Sequence, residues 1–561
     1  MIRLRLLRAA QRVVQAINPD FDQPDWRPIL RKSAETWSRA LEAARGGPRV
    51  LIPTAVGGHL PSTTLESLLA VALTLRGADV QLLLCDEQLP ACLRSHVTAV
   101  ASDEAFVVEG PQASGCIRCY SSGAPMYRTL GLRVRTLGAL LTDRARTDAR
   151  ELAAGMPADA IPSYTLDGLA VGEHALAGTL RFYARGTLPG GASEAVFRRY
   201  LHAGLLTAFA TRQLLAEAPF EASCFNHGIY IPHGVIGEAA REAGVRVVNW
   251  NPAYRIQSFI FSHGDTYHHT LMDEPTSAWE NLPWSDEREA ELMSYLRSRW
   301  QGSRDWITFN ANPEERTSAI AQEIGIDFSK PTIGLLTNVI WDAQLHYRAN
   351  AFPNMMDWLV RTIAYFRDRP DVQLLIRVHP AEITGAVPSR QPVLDEIRAH
   401  FPTLPSNVYV IPPESSISTY VTMMRCNTVI IYGTKTGVEL TSEGVPVIVC
   451  GEAWIRNKGL TADARTPEEY YALLDLLPGP GRLPPETVAR ARRYAYHFFF
   501  RRMIPMTSIA PATGIAARQV KYQVGVSTLE QLLPGRDPGL DVICDGILQG
   551  TPFTYPAETL A

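Results

Sequence analysis

The sequence predicts an α/β protein made of two doubly wound, parallel-sheet domains in tandem, followed by a helical C-terminal tail. Three observations predict it. An apolar run, a glycine turn, an amphipathic helix and a second apolar run follow one another over residues 49–85. The same unit recurs over residues 223–250. From residue 332 to residue 450, short apolar runs again alternate with helical periodicity. Strand–helix–strand repetition with short loops demands parallel strands joined by right-handed crossovers. With 46% hydrophobic and 20% charged residues, the 561-residue chain can build large cores, and wholesale disorder is excluded.

Residues 1–46 read as a helical segment, broken by the proline-bearing Asn18-Pro19-Asp20-Phe21-Asp22 stretch. The first domain is expected over residues 47–275. In it, residues 49–53 form a strand, Gly57-Gly58-His59 a turn, residues 63–76 a helix stopped by Gly77, and residues 80–85 a second strand. Residues 120–220 carry mostly helical periodicity. A strand over 223–226 ends in His227-Gly228, a helix spans 234–243, and a further strand spans 245–250. Residues 276–330 read as a helical connector. The second domain, residues 331–484, places strands at 332–336, 373–378, 407–411, 428–432 and 445–450. Helices at 355–367, 416–424 and 437–443 separate them. Residues 485–561 form the tail, expected to return to the first domain. Both domains are thus Rossmann-like.

Charge and leader signals narrow the class. Fifty-four basic and 57 acidic residues leave a net charge of −3, which excludes a generally polycationic nucleic-acid binder. No apolar run reaches 18 residues, and arginines interrupt the first 14 residues, so a cytoplasmic protein is expected. The same N-terminal helix is basic and amphipathic. It reads either as a surface helix packed on its domain or as a peripheral contact with the inner face of a membrane.

In an open parallel sheet, ligands bind beyond the carboxyl ends of the strands. The unusual residues of this chain fall in those loops: His59, His227, the stretch from Asn338 to His346, His379, Gly433-Thr434-Lys435-Thr436-Gly437, and Glu452 to Gly459. Gly57-Gly58 leaves room for a ligand beside the backbone, and an imidazole there can take a hydroxyl proton. His59 is the first candidate base, His227 the second, and Asp265 a further carboxylate in reach of the same role; the alternative for His59 is a helix cap. Gly433 to Gly437 offers hydroxyls, a cation and backbone N–H groups to an anion such as a phosphate, and Glu439 can accept two ribose hydroxyls. Arg377 and His379 stand at a strand end, while Ser415 and Ser416 read as helix caps that could also bind a ligand. Lys435 and Lys458 are two of only five lysines, which favours a role for each. Cys85, Cys92, Cys116 and Cys119 hold half of the eight cysteines and match a structural zinc knuckle, against buried unliganded thiols. The histidines between His227 and His269 lack a metal-ligand pattern.

These motifs together resemble a known family. Arg377-Val-His-Pro, Ile431-Tyr-Gly-Thr-Lys-Thr-Gly-Val-Glu and Glu443-Gly-Val-Pro-Val are similar to the strand–His–Pro, Ser/Thr-x-x-Gly-x-Glu and Gly-x-Pro-Val series of GT-B glycosyltransferases. Within them the resemblance is to bacterial capsule-polysaccharide biosynthesis proteins of the Kdo-transferase type, over about residues 330–465. It implies a nucleotide-sugar donor (CMP-, UDP- or GDP-linked) held by His379, Thr434, Lys435, Thr436 and Glu439. Thr434 stands where some members carry Ser. Gly57-Gly58-His59 is similar to the Gly-Gly-His turn of lipid-linked GlcNAc transferases but lacks the preceding Gly-Thr.

The resulting expectation is a metal-independent glycosyltransferase that moves a sugar to a glycan or lipid-linked acceptor in surface-polysaccharide synthesis. Three other readings stay open: a non-hydrolysing sugar-nucleotide epimerase, a CDP-polyol phosphotransferase and a non-enzymatic assembly factor. An epimerase needs no acceptor, and an assembly factor tolerates loss of Glu439 and His379.

Overall fold

The computed structural model describes residues 23–111, 113–308, 313–343, 345, 349–385, 387–479, 481–514 and 520–560. The strands in chain order are β1 (Arg49–Ala55), β2 (Asp79–Leu84), β3 (Arg133–Thr136), β4 (Ala222–Asn226), β5 (Arg246–Pro252), β6 (Ser258–His263), β7 (Thr332–Leu336), β8 (Gln373–Arg377), β9 (Val408–Ile411), β10 (Thr428–Ile431), β11 (Val447–Val449), β12 (Ala462–Asp463), β13 (Ile504–Pro505), β14 (Ile509–Pro511) and β15 (Tyr522–Val524). The chain divides into two compact units. Unit 1 takes the chain up to Tyr183, Thr187–Tyr267 and Arg502–Tyr555; unit 2 takes Ala184–Gly186, His268–Arg501 and the last residues.

Unit 1 holds a seven-stranded sheet of order β13-β6-β5-β4-β1-β2-β3. The five strands from β5 to β3 run parallel, and β6 and β13 close one edge in antiparallel fashion. Strand order reverses between β1 and β4, which is the topological switch point of a doubly wound sheet. The apolar runs explain the burial: every residue of β4 and all but the first of β1 and β2 are buried, as strands covered on both faces must be. The helix Leu60–Leu75 packs behind β1, starting at Pro61 in its first turn, where a missing N–H does no harm.

Unit 2 holds a six-stranded, all-parallel sheet of order β12-β11-β10-β7-β8-β9. Its switch point lies between β7 and β10. Ile333, Leu335, Leu374, Ile376 and Ile430 from the sheet and Trp358, Leu359 and Ile363 from the helix Met355–Arg367 form one core cluster. Both units are therefore doubly wound α/β folds, as the strand–helix alternation predicts.

Several elements differ from expectation. β3 lies inside the stretch read as helical; it is a short edge strand whose Arg133 and Arg135 erase any apolar run. The tail is not purely helical. It contains the helix Pro485–Tyr496, a π-turn over His497–Arg502, β13 on the edge of the first sheet, the β14–β15 hairpin and the helix Pro538–Gln549. Two- and three-residue strands carry too little periodicity to be read. The basic N-terminal helix expected from the sequence, and the membrane contact expected of it, concern residues 1–22, which lie outside the described residues. The first described helices are Arg27–Lys32 and Ala34–Ala43. Among the described residues, no helix is long and apolar enough to cross a membrane.

Candidate functional site

In unit 2 the loops after β7 and β10 meet at the switch point. The Asn338 side-chain oxygen accepts the Gly433 N–H at 3.1 Å, tying the two loops together. Lys435 follows two residues later and places its Nζ 3.2 Å from Glu439 Oε2, one helical turn along Thr436–Ser442. Glu439 is 2% exposed, and its other oxygen accepts from Arg299 Nε at 2.6 Å and from the Tyr420 hydroxyl at 3.1 Å. Arg299 in turn pairs with Asp305. Burial alone would raise the Glu439 carboxyl, but Lys435 and Arg299 beside it hold it below the usual carboxylate range. Burial, with Arg299 nearby, brings the Lys435 ammonium down to about 8, so it stays mostly charged at neutral pH. The Glu439 carboxylate, expected to meet ribose hydroxyls, is thus paired with the protein cations Lys435 and Arg299.

His379 follows β8. Its Nδ1 accepts the Ala381 N–H at 3.0 Å, which leaves Nε2 as the position for a proton. Burial, then Lys435 and Arg377, push its pKa down to about 4. The backbone N–H of His379 donates to Thr337 Oγ1 at 3.0 Å, so the ends of β7 and β8 are joined as well. Thr434 and Thr436 hydroxyls lie 3.2 Å apart at the head of the loop. A switch-point position, a charged lysine, a neutral imidazole and paired hydroxyls thus meet at the carboxyl ends of β7, β8 and β10.

Arg377, by contrast, is committed to structure. It is 1% exposed and donates to Thr419 Oγ1 at 3.3 Å, to the Ser415 carbonyl at 3.1 Å and to the Pro412 carbonyl. Ser415 accepts the Ile417 N–H at 3.3 Å, and Ser416 is exposed. Neither caps the following helix. Its cap is Ser418, which accepts from Val421, because the loop held by Arg377 delays the helix start to Thr419. Lys458 is 1% exposed and donates to the carbonyls of Met272 and Glu274 at 2.8 and 2.5 Å, so this second singled-out lysine secures backbone. The loop after β11 adds a pair that sequence reasoning left unjoined: His269 Nε2 lies 3.4 Å from Glu452 Oε2, a largely buried carboxylate.

In unit 1 the switch point brings His59 and His227 into one cluster, after β1 and β4. Arg94 donates to the Gly58 carbonyl, and Arg181 on the helix Val171–Tyr183 donates to the Leu93 carbonyl. The Arg181 guanidinium lies 5.2 Å from the Tyr230 ring centre, and that ring lies 5.1 Å from the His227 ring. His233 Nε2 pairs with the Thr54 carbonyl at 3.0 Å. Burial, then His233, Arg181, Arg94 and His227, lower His59 to about 3. Burial and Arg181 lower His227 to about 3, and burial lowers His233 to about 4. All three imidazoles are neutral at working pH. His59 Nδ1 pairs with Ser62 Oγ at 2.8 Å; with the proton on Nδ1, Nε2 is free to accept one. His227 sits at φ +66°, a left-handed backbone that costs a non-glycine residue on the order of 1–3 kcal/mol. Beneath the turns, Glu66 Oε1 accepts the Asn226 N–H at 3.1 Å and Trp250 Nε1 at 3.0 Å. Burial pushes its carboxyl up to about 7.

Three expectations change here. The glycines of the Gly57-Gly58 turn make room for a helix: a Cβ on Gly57 would lie 2.8 Å from the Cys119 carbonyl oxygen and 3.2 Å from Gly123 Cα. Asp265 follows β6, which runs antiparallel, so it sits at the end of the sheet opposite the histidine turns. The zinc quartet does not form: Cys85, Cys92, Cys116 and Cys119 are free thiols, and no group of three or more candidate ligands among the described residues is placed to hold a metal. Cys119 Sγ instead accepts the Gly58 N–H at 3.1 Å. Burial pushes the Cys85 and Cys119 thiols up to about 12 and about 11 and Cys116 higher still. Arg94, Arg181 and Arg299 were missed because single arginines carry no local signal.

No family model matches the sequence, and no curated protein matches it. Solved structures similar to it include Thermosulfurimonas dismutans KpsC, a beta Kdo 2,4 transferase, at 14% identity and TM-score 0.32 over 49% of this chain and 79% of that one. The spinosyn rhamnosyltransferase SpnG complexed with spinosyn aglycone gives 12% and 0.22 over 80% and 95%. The UDP-GlcNAc 2-epimerase from Neisseria meningitidis bound to UDP-GlcNAc gives 10% and 0.23 over 80% and 94%. At these scores the similarity carries no argument; the fold assignment rests on the strand orders.

Proposed function

We propose that this protein is a glycosyltransferase of the GT-B type that takes a nucleotide sugar in unit 2 and an acceptor in unit 1. The observation that carries the reading is the β7–β10 switch point, where Lys435, His379, Thr434 and Thr436 surround loops joined by the Asn338–Gly433 hydrogen bond. Lys435 and the backbone N–H groups of Thr434, Lys435 and Gly437 would meet the donor phosphates, with the charge of the departing phosphate balanced by protein groups and not by a metal. Glu439 and Arg299 hold Lys435 in place, and Arg377 holds the loop of Ser415 and Ser416 that borders it.

In unit 1, His59 is the base that takes the acceptor hydroxyl proton at Nε2, and His227 is its neighbour and alternative. The motif resemblance over residues 330–465 supports a role in capsule-like surface-polysaccharide assembly. The test is direct. CMP-, UDP- and GDP-sugars are incubated with the protein, with and without extracted bacterial glycolipid, and products are read by mass spectrometry. Acceptor-dependent gain of one sugar unit is expected. Interconversion of nucleotide sugars without acceptor would assign an epimerase instead, and no turnover with any donor would leave an assembly factor.

A further inference from the structure

The switch point of unit 1 gathers cations without a counter-charge. Arg94 and Arg181 each bind one backbone carbonyl, Gly58 and Leu93, and neither forms an ion pair among the described residues. Leu93 N–H donates to the Ile231 carbonyl at 2.9 Å, so the loop that carries Arg94 and that Arg181 braces is stitched to the turn bearing His227. The guanidinium of Arg181 lies over Tyr230, which lies against His227. Three imidazoles complete the cluster, all held neutral, so none of them supplies a negative charge and none competes as a cation.

A guanidinium fork has five N–H donors, and one carbonyl uses only part of them. Two such forks beside strand-end loops match a planar or tetrahedral oxyanion. We propose that this cluster is an anion subsite, in which Arg94 and Arg181 bind a carboxylate or phosphate group of the acceptor next to the hydroxyl that reacts. The acceptor class is thereby narrowed to acidic molecules: a sugar acid or a phosphate-bearing glycan or lipid head group. The inference rests on the assignment of unit 1 to the acceptor, and it adds the charge that the acceptor must carry. It also gives His59 a reason for its surroundings, since a bound anion offsets the arginines that help to keep the imidazole unprotonated.

The test uses the full chain and three probes: inorganic phosphate, glucuronate and, as the neutral control, glucose. Thermal shift and calorimetric titration are run on the wild type, Arg94→Gln, Arg181→Gln and Arg181→Lys, with Lys435→Gln as the control for binding in unit 2. Phosphate, glucuronate or both should stabilise the wild type while glucose does not. Each Gln variant should weaken that anion about tenfold or more, and Arg181→Lys should lose less. Phosphate binding alone points to a phosphate-bearing acceptor, and glucuronate alone points to a sugar acid. An anion response that disappears in Lys435→Gln and survives in both arginine variants would overturn the proposal. So would no response to either anion, or an equal response to glucose. Unliganded melting temperatures show whether each variant folds; if Arg181→Gln does not, Arg94→Gln and Arg181→Lys carry the test. Because binding is read without turnover, failure of sugar transfer would leave this result standing, and failure here would leave donor binding in unit 2 untouched.

Discussion

His59 and His227 face opposite demands. A proton acceptor works best when its pKa lies near the working pH, yet burial and neighbouring cations hold both imidazoles near 3. Two outcomes follow. Activity should show no rising limb near pH 6.5 from these histidines, since both are already deprotonated there; a limb at that pH in the wild type that vanishes in His59→Ala would show an ordinary imidazole instead. Replacing His59 with Ala should cut turnover by about 10²–10⁴-fold with donor affinity nearly intact, measured as steady-state kinetics beside nucleotide titration. Near-normal turnover in His59→Ala, with an inactive His227→Ala, would move the role to His227. The sequence alone could name these two histidines because each follows an apolar run that ends in a glycine turn. It could not pair them, nor see Arg94 and Arg181, because the pairing is made by strand order and the arginines lie in a loop and in the last turn of a helix.

The helix Leu60–Leu75 links the first turn to the core of unit 1. Glu66 on it is fully buried with its carboxyl raised from 4.5 to about 7. The folded protein therefore holds a proton that the unfolded chain releases above pH 4.5. Its stabilising contribution is complete below pH 4.5 and is lost as the pH rises through 7, a loss of about 3 kcal/mol at 1.36 kcal/mol per unit. Glu66→Gln keeps the acceptor for Asn226 and Trp250 and cannot ionise, so its stability relative to wild type should improve from pH 5 to pH 8 in paired denaturant melts. A difference independent of pH would mean that Glu66 titrates normally. The glycine turn before this helix makes a second prediction. Gly57→Ala would drive a Cβ into the backbone of the helix Ala113–Thr129 and should cost about 1–3 kcal/mol, read as a lower melting temperature. The long buried strands were legible from their apolar runs. β3 and β6 were not: one is short and carries Arg133 and Arg135, and the other joins the sheet edge antiparallel, outside the strand–helix rhythm.

Across the whole chain, two reversals of strand order organise the candidate chemistry, one between β1 and β4 and one between β7 and β10. Their existence was readable from alternation, but the partners they recruit from afar were not. Glu439 looked like a ligand for ribose because its partner Arg299 lies 140 residues earlier in the chain. The central claim is that the second reversal is a nucleotide site built around Lys435. It is tested most directly by thermal shift of the full chain with CMP, UDP and GDP, on the wild type and on Lys435→Gln. At a hundredfold excess over the dissociation constant, one nucleotide should stabilise the wild type by about 2.7 kcal/mol, raising its melting temperature by a few degrees, and Lys435→Gln should lose most of that shift. No shift with any nucleotide at millimolar concentration, or an equal shift in a folded Lys435→Gln protein, would contradict the claim.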